Sequence, residues 1–535
     1  MPIALGNNVI SSSVVKALNN KSITTQGLVI NLDAGLPDSY PGTGVKWYSS
    51  GGYVGIANAE VLIVGGGGGG GGPLGGGGGG GGVIYTPMIS LSPNTAYTIT
   101  VGGGGADRAV GANTTAFGMV ARGGGTSGPY STSDGSAGGS GGGAGATETR
   151  LNAGGAASGS SSPFPNSVIY GNAGGSMTTV RAGNPTRAAG GGGAGLAGPA
   201  TNCNVSNGAY DYPGSGGDGI LIGILGAPYY WGAGGGGGAY DGNTYGGRGG
   251  YGGGGGGACN AGTGGLGGVG GLNSGANGAA GNEATGGAGG TNTGGGGGGG
   301  SWSTGIGGAG GSGIVVIRYP GSQQATGGTI TSVGGCTIHS FTSSGTFTTY
   351  SNSATLINGP TYSSSYGGVM AFDGVNDYAV LYRDLSGAVA ANYAGFTVIA
   401  ASRYVVSAGG GRVVNGLLNN WLLGHYAATT LNYYAEGWVT AAAATGPADT
   451  NWRIYAATGI SGTYNFYVNG TLSATGSGGT AGPNGICLGA YGNSGSPVDQ
   501  WSNSQVGFVM VYNRVLSAAE ILQIYNVQKS RFGLT

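Results

Sequence analysis

The chain has 535 residues, of which only 6% are charged, and its 17 Lys and Arg balance 17 Asp and Glu. A formal net charge of zero leaves no electrostatic footprint for nucleic acid or an anionic membrane surface, and no run of eighteen apolar residues offers a membrane-spanning helix. The length predicts several domains, and 137 glycines against 18 prolines, without a sustained Gly-X-Y period, exclude collagen.

Residues 1–26 form a polar lead with one apolar patch, Val14-Val15-Lys16-Ala17-Leu18, which reads equally as a docking helix or an arm. The start, Met1-Pro2-Ile3-Ala4-Leu5, lacks the basic region and apolar core of a secretory signal. Cys203, Cys259, Cys336 and Cys487 are scattered without a CxxC pair, which suits synthesis in a reducing cytoplasm. The expectation is a chain displayed by assembly and not by secretion, as a virion protein is. Residues 27–50 open with a strand, Leu28-Val29-Ile30-Asn31-Leu32-Asp33, then a Pro- and Gly-containing loop and Trp47.

Residues 51–320 are glycine-rich, with pure runs at 65–72, 75–82, 190–193, 234–238, 252–257 and 294–300. Ordering glycine costs about 1–2 kcal/mol of backbone entropy per residue and returns no side-chain burial, so a flexible linker is the default reading. Linkers are usually diluted with Ser and charge, whereas these runs are not. The ordered alternative is a bundle of polyproline-II-type glycine helices, whose outward N–H and C=O groups pair laterally once side chains are absent. What brackets the block favours the bundle. Ala59-Glu60-Val61-Leu62-Ile63-Val64 leads in and Ile314-Val315-Val316-Ile317-Arg318-Tyr319-Pro320 leads out, both strand-like, and they are expected to pair at its base. Val83-Ile84-Tyr85 and Ala96-Tyr97-Thr98-Ile99-Thr100-Val101 add further strands.

Residues 321–350 read as connector strands. From 351 to 535 the long glycine runs vanish and the pattern becomes all-β, with candidate strands at 369–372, 396–401, 452–456 and 506–512. Tyr464-Asn465-Phe466-Tyr467-Val468 and Thr471-Leu472-Ser473-Ala474 flank Asn469-Gly470, a type I′ hairpin signal. One short helix closes the chain: Ser517 and Glu520 form a capping box, Leu516 and Ile521 a hydrophobic staple.

Phe372-Asp373-Gly374-Val375-Asn376-Asp377-Tyr378, Phe466-Tyr467-Val468-Asn469-Gly470, Leu488-Gly489-Ala490 and Val511-Tyr512-Asn513-Arg514-Val515-Leu516-Ser517 resemble the concanavalin A-like (laminin G-like) jelly-roll domains of virus tail and fibre proteins. In that family the first strand is similar to residues 28–33 and the next to residues 355–362, so the resemblance implies a jelly-roll sandwich split by an inserted glycine-rich domain. Residues 61–82, 97–102 and 313–320 are similar to the glycine-rich domains of bacteriophage tail fibres and adhesins, where polyglycine helices pack together. The strand pair at 338–347 usually precedes such a block and here follows it, which suggests a permuted or truncated second copy.

Catalytic chemistry finds little support. Glu60, Glu148, Glu283, Glu436 and Glu520 have no carboxylate neighbour in sequence for paired acid and nucleophile work, and His339 and His425 are too few for a metal cluster. The GxGxxG matches carry no weight in this background, and no Gly-Lys-Ser/Thr phosphate loop exists. Trp421, Tyr426, Tyr433, Tyr434 and Trp438 cluster as a candidate carbohydrate platform or as core, with Tyr433 and Tyr434 on opposite faces. Tyr210, Tyr212, Tyr229, Tyr230 and Trp231 are candidate aromatic loop tips or rings packed on the sides of the bundle. Asp373, Asn376 and Asp377 have oxygen for Ca²⁺, although such a turn more often caps its own backbone; no other cofactor is expected. The expectation is a virion surface protein, a tail-fibre or capsid-surface adhesin that binds a host glycan or outer-membrane component beside other virion proteins, as a homo-oligomer such as a trimer. A head decoration or tube building block making only protein contacts is the alternative, and a glycan hydrolase a third.

Overall fold

The computed structural model describes residues 24, 27–36, 39–40, 44–49, 56–128, 134–146, 148–180, 187–202, 214–240, 245–320, 323–350, 353–385, 395–407, 410–441, 446–492 and 499–535. The apolar patch at 14–18 lies outside them. The described chain is nearly all-β with one short C-terminal α-helix, and none of its helices is long and apolar enough to cross a membrane. It forms two compact units: one holds the described part of residues 1–55 with 92–94 and 350–535, the other Ile56–Leu91 and Thr95–Thr349.

The glycine-rich unit is rooted in a six-stranded antiparallel sheet. Its order is Thr329–Val333, Cys336–Phe341, Ile314–Pro320, Ile56–Val64, Val83–Leu91 and Val168–Tyr170. The strands leading in and out do pair, with Val64 opposite Ile314 and Val61 opposite Ile317. Alternation sends Val61, Ile63, Val315 and Ile317 to one face, against Ile99, Met119 and Phe347. Leu62, Val64, Ile314 and Val316 go to the other, against Ile338 and Trp231. With both faces buried, these strands read as continuous branched apolar runs. Residues 325–349 join this unit, Cys336–Phe341 beside the outgoing strand and Gly345–Thr349 against Ala96–Ile99.

Beyond Val64 the runs form packed polyglycine-II helices. Gly65, Gly68 and Gly71 donate their N–H to Gly82, Gly79 and Gly76; Gly66 and Gly69 to Ala112 and Ala109; Gly67 and Gly70 to Gly311 and Gly308, all at 2.8–3.0 Å. Successive N–H groups thus point in three directions with a three-residue period, as a polyproline-II-type helix requires. The carbonyls of Gly66, Gly67 and Gly68 accept from Gly124, Gly105 and Gly297, so three further segments complete a shell of six neighbours. The returning thread is enclosed the same way: Gly79, Gly80 and Gly81 donate to Gly125, Gly192 and Gly294, while Gly77, Gly78 and Gly79 accept from Gly143, Gly235 and Gly68. A Cβ at Gly67, Gly70 or Gly78 would overlap the carbonyl oxygen of Gly295, Gly298 or Gly68. That close approach explains the purity of the runs and rules out the linker reading for these threads.

The other unit is a concanavalin A-like sandwich of two antiparallel sheets. The eight-stranded sheet runs Thr361–Ser363, Val369–Asp373, Asn503–Tyr512, Phe396–Tyr404, Arg453–Ile460, Thr463–Val468, Thr471–Gly476, with Leu28–Asp33 also on Asn503–Tyr512. The seven-stranded sheet runs Lys46–Tyr48, Ser353–Ile357, Tyr378–Asp384, Asn484–Leu488, Val414–Gly416, Trp421–Tyr426, Thr429–Ala435. Ile30 lies opposite Val511 and Trp47 opposite Ala354, so strands from both sides of the glycine-rich segment enter each sheet. Asn469 and Gly470 both have positive φ, 50° and 78°, as a type I′ turn demands. Ser517 Oγ accepts from the Glu520 N–H while the Glu520 carboxylate accepts from the Ser517 N–H, which fixes the start of helix Ala518–Gln528. Its Ile521, Ile524 and Tyr525, with Phe532 beyond, cover the outer face of the eight-stranded sheet at Ile399, Ile454, Phe508 and Met510.

Candidate functional site

The outer face of the seven-stranded sheet carries the candidate site. Val414 stands opposite Leu423 and Leu488 and points into the core, so its neighbour Asn415, opposite Leu422 and Cys487, points outward. Leu422 pairs in turn with Tyr434, which places Tyr434 on the same outer face. The hairpin joining Trp421–Tyr426 to Thr429–Ala435 turns on Ala427 and Ala428, both at positive φ, 47° and 65°. After Ala435 the chain doubles back through Glu436 and Gly437, so that Trp438 bridges to Tyr434. The Trp438 ring lies 5.1 Å from that of Tyr434, edge-on, and 5.9 Å from that of Tyr426. All three rings are half-buried.

Arg412 stands beside them and is only 5% exposed. Its guanidinium lies 4.1 Å from the Tyr491 ring centre and 5.3 Å from that of Tyr426. Nε donates to Gln500 Oε1 at 2.9 Å, and Nη1 donates to Asn415 Oδ1 at 2.8 Å and Asn420 Oδ1 at 2.7 Å. Asn420 is held in turn through its N–H, which donates to Glu436 Oε1 at 2.7 Å. Burial lowers the Arg412 pKa, while Tyr491, Tyr426, Asp499 and Tyr434 favour its charge. Arginine nevertheless stays protonated at neutral pH.

Of the five aromatics expected as a carbohydrate platform, the structure brings three together and removes two. Trp421 and Tyr433 are fully buried among Phe396, Tyr464 and Phe466 in the sandwich core, because their strand parity points them inward. Neither faces a ligand. Tyr229, Tyr230 and Trp231 are not loop tips: they form a strand paired with Ile220–Ile222. Trp231 is fully buried against the six-stranded sheet and donates from Nε1 to the Ile222 carbonyl, while Tyr230 packs on Tyr251. Tyr210 and Tyr212 lie outside the described residues. Arg412, Asn415, Asn420 and Tyr491 were not singled out by sequence reading; the one available signal was an arginine wedged between Gly409-Gly410-Gly411 and Val413-Val414.

Asp373 Oδ1 accepts N–H groups from Val375 at 2.8 Å, Asn376 at 3.3 Å and Asp377 at 3.4 Å. These bonds hold its carboxyl below the usual range, whereas burial and the Asp373 charge raise that of Asp377. The turn is an Asx cap on its own backbone. Among the described residues no group of three or more His, Cys, Asp and Glu is placed to hold a metal ion. Both histidines are core residues. His339 bridges the Tyr319 hydroxyl and the Gly327 carbonyl, and His425, pushed down to about 3 chiefly by burial, sits between Tyr404 and Tyr455. Among the described residues of the jelly-roll unit, three carboxylates are taken up in ion pairs: Asp33 with Arg531, Asp449 with Arg453 and Glu520 with Arg514.

Comparison with known proteins identifies both units. Residues 46–281 match the model of a glycine-rich domain, and residues 389–522 match that of the concanavalin A-like lectin/glucanases superfamily. Both kinds of domain are therefore present. No curated protein matches the chain. Among solved structures, a Trypanosoma rangeli sialidase is similar at 18% identity, with 34% of this chain and 30% of that chain covered and a TM-score of 0.25. Domain 4 of AbnA, a GH43 extracellular arabinanase from Geobacillus stearothermophilus in complex with arabinotriose, is similar at 14% identity, 33% and 89% coverage and a TM-score of 0.26. The binding domain of botulinum neurotoxin DC in complex with rat synaptotagmin II is similar at 13% identity, 33% and 46% coverage and a TM-score of 0.25. The chain thus spans under a third of the sialidase.

Proposed function

We propose that this chain is a carbohydrate-binding adhesin without chemistry of its own, a virion surface component of the tail-fibre type whose jelly roll holds a host cell-surface glycan. The observation that carries this reading is the group of half-buried rings, Tyr426, Tyr434 and Trp438, set beside the Arg412 guanidinium, which Asn415 and Asn420 hold in place. Flat rings stack on the C–H faces of sugars, and a few convergent polar groups fix orientation. The ion-paired Asp33, Asp449 and Glu520 and the backbone-capping Asp373 are poor candidates for the paired acid and nucleophile of a glycosidase. In a fibre the chain would assemble as a homo-oligomer, such as a trimer, beside other virion proteins.

The test is a glycan array probed with the full chain and with a Tyr434→Ala/Trp438→Ala variant. Retention of a defined glycan by the parent chain, weakened about tenfold or more in the variant, is expected, since two stacked rings contribute on the order of a few kcal/mol. Retention of no glycan rejects the reading, and release of reducing sugar from a bound oligosaccharide transfers it to the hydrolase class.

A further inference from the structure

The arrangement of donors around Arg412 deepens that reading and rests on it. A guanidinium has five N–H donors and no acceptor. Gln500 takes the one on Nε, Asn415 and Asn420 the two on Nη1, and among the described residues neither donor of Nη2 meets an acceptor. The three oxygens that do engage Arg412 are all neutral amides. Among the described residues Arg412 makes no ion pair. The charged groups near it are Asp499, exposed and beyond ion-pair distance, and Glu436, which accepts from the Asn420 N–H.

A cation buried to this degree without an anion costs several kcal/mol unless something compensates it. Here the cation is also oriented: two amide side chains and Gln500 hold the fork, Tyr491 stacks on it, and Tyr426 joins it to Trp438. Nothing in that frame neutralises the charge; all of it fixes where the remaining Nη2 donors point.

We propose that the glycan taken by this face is acidic, a sugar bearing a carboxylate that accepts from Arg412 Nη2 while the ring packs on Tyr426 and Trp438. The dimensions suit one residue. Arg412 and Trp438 both neighbour Tyr426, 5.3 Å and 5.9 Å from its centre, within the reach of one pyranose ring and its exocyclic carboxylate. A neutral sugar would leave the Arg412 charge without a counter-ion.

The experiment compares binding of the full chain to oligomers of galacturonate, glucuronate and N-acetylneuraminate, each beside its methyl ester, with neutral and sulfated oligosaccharides in parallel. At least one acid is expected to bind about tenfold or more tightly than its ester, the scale of a charge-assisted hydrogen bond in a desolvated site. Arg412→Gln should abolish that preference, bringing the acid and ester affinities together, and Arg412→Lys should restore part of it. Asp499→Asn, which removes an exposed carboxylate that makes no hydrogen bond to Arg412, should raise acid affinity a fewfold and leave ester affinity alone. Equal affinity for acid and ester, a preference for neutral or sulfated sugars, or a preference that survives Arg412→Gln overturns the acidic assignment and leaves glycan binding standing. Failure to bind every oligosaccharide, charged or neutral, overturns the glycan reading itself.

Discussion

Leu423 and Gly78 are both fully buried, yet they are held in opposite ways. Leu423 fills space in the jelly-roll core among other apolar side chains. Gly78 fills none beyond its backbone: its N–H donates to Gly297 at 2.8 Å and its carbonyl accepts from Gly235 at 2.9 Å, inside a shell of other threads. Both interiors are dense, but one is closed by side chains and the other by the absence of them. A side-chain core forgives swaps that conserve volume. The glycine lattice has no volume to conserve, so its tolerance is set by whether a Cβ has anywhere to go.

The sharpest way to break this comparison is Gly78→Ala, whose Cβ would run into Gly68. It should cost about 4 kcal/mol or more and strip hydrogen-exchange protection from the amides of residues 65–82, since neither thread can shift without breaking its neighbours' bonds. Leu423→Ala should cost about 3 kcal/mol in chemical denaturation, the usual penalty for a cavity left by a buried leucine. Acidification should reach the jelly roll through His425. Its folded pKa of about 3 lies below the unfolded value, so between about pH 6.5 and 3 the unfolded chain binds the extra proton, and stability should fall by up to about 1.4 kcal/mol per pH unit. Asp449 and Glu520, each held at about 2 chiefly by a hydrogen-bonded arginine, act in the same direction: their stabilisation is present above the ordinary carboxylate range and is lost as pH falls toward 2. A pH titration of the denaturation midpoint that stays flat from 6.5 to 3 would contradict this. Gly103→Ala should have the smallest effect, with the opposite sign. A Cβ there meets nothing within 4 Å, so the loss of unfolded-state freedom should raise stability by about 0.4–1 kcal/mol, read as a higher midpoint.

Features written over a few neighbouring residues were legible in the sequence. The Asn469-Gly470 turn, the Ser517 and Glu520 capping box and the paired strands around the glycine block all rest on short-range chemistry. The candidate site was legible only in part. Its hairpin turns on Ala427-Ala428, which adopt positive φ without the Asn or Gly that would announce it, so the strands on either side could not be registered. Without the register, the opposition of Tyr433 and Tyr434 was visible but not which of them faced in; the pairing of Val414 with Leu423 decides that. Arg412 draws its frame from Asn415, Asn420, Tyr491 and Gln500, which strand pairing alone brings together. Tyr229, Tyr230 and Trp231 misled for a related reason: their partner is a three-residue strand between glycine-rich stretches, too short to read as one.

The order in which the lattice bonds are distributed along the chain also governs how the protein can be made. The threads at 65–71 and 76–82 emerge early from the ribosome, yet Gly67, Gly70, Gly78 and Gly81 donate to Gly311, Gly308, Gly297 and Gly294. At roughly 5–20 residues per second, the intervening 200 or more residues take on the order of 10–45 seconds to synthesise. For that interval the threads destined for the interior lack the acceptors that will enclose them. Assembly of the glycine-rich unit is therefore expected to wait for its last third, and a chain truncated before residue 294 would leave those N–H groups of its two central threads to water.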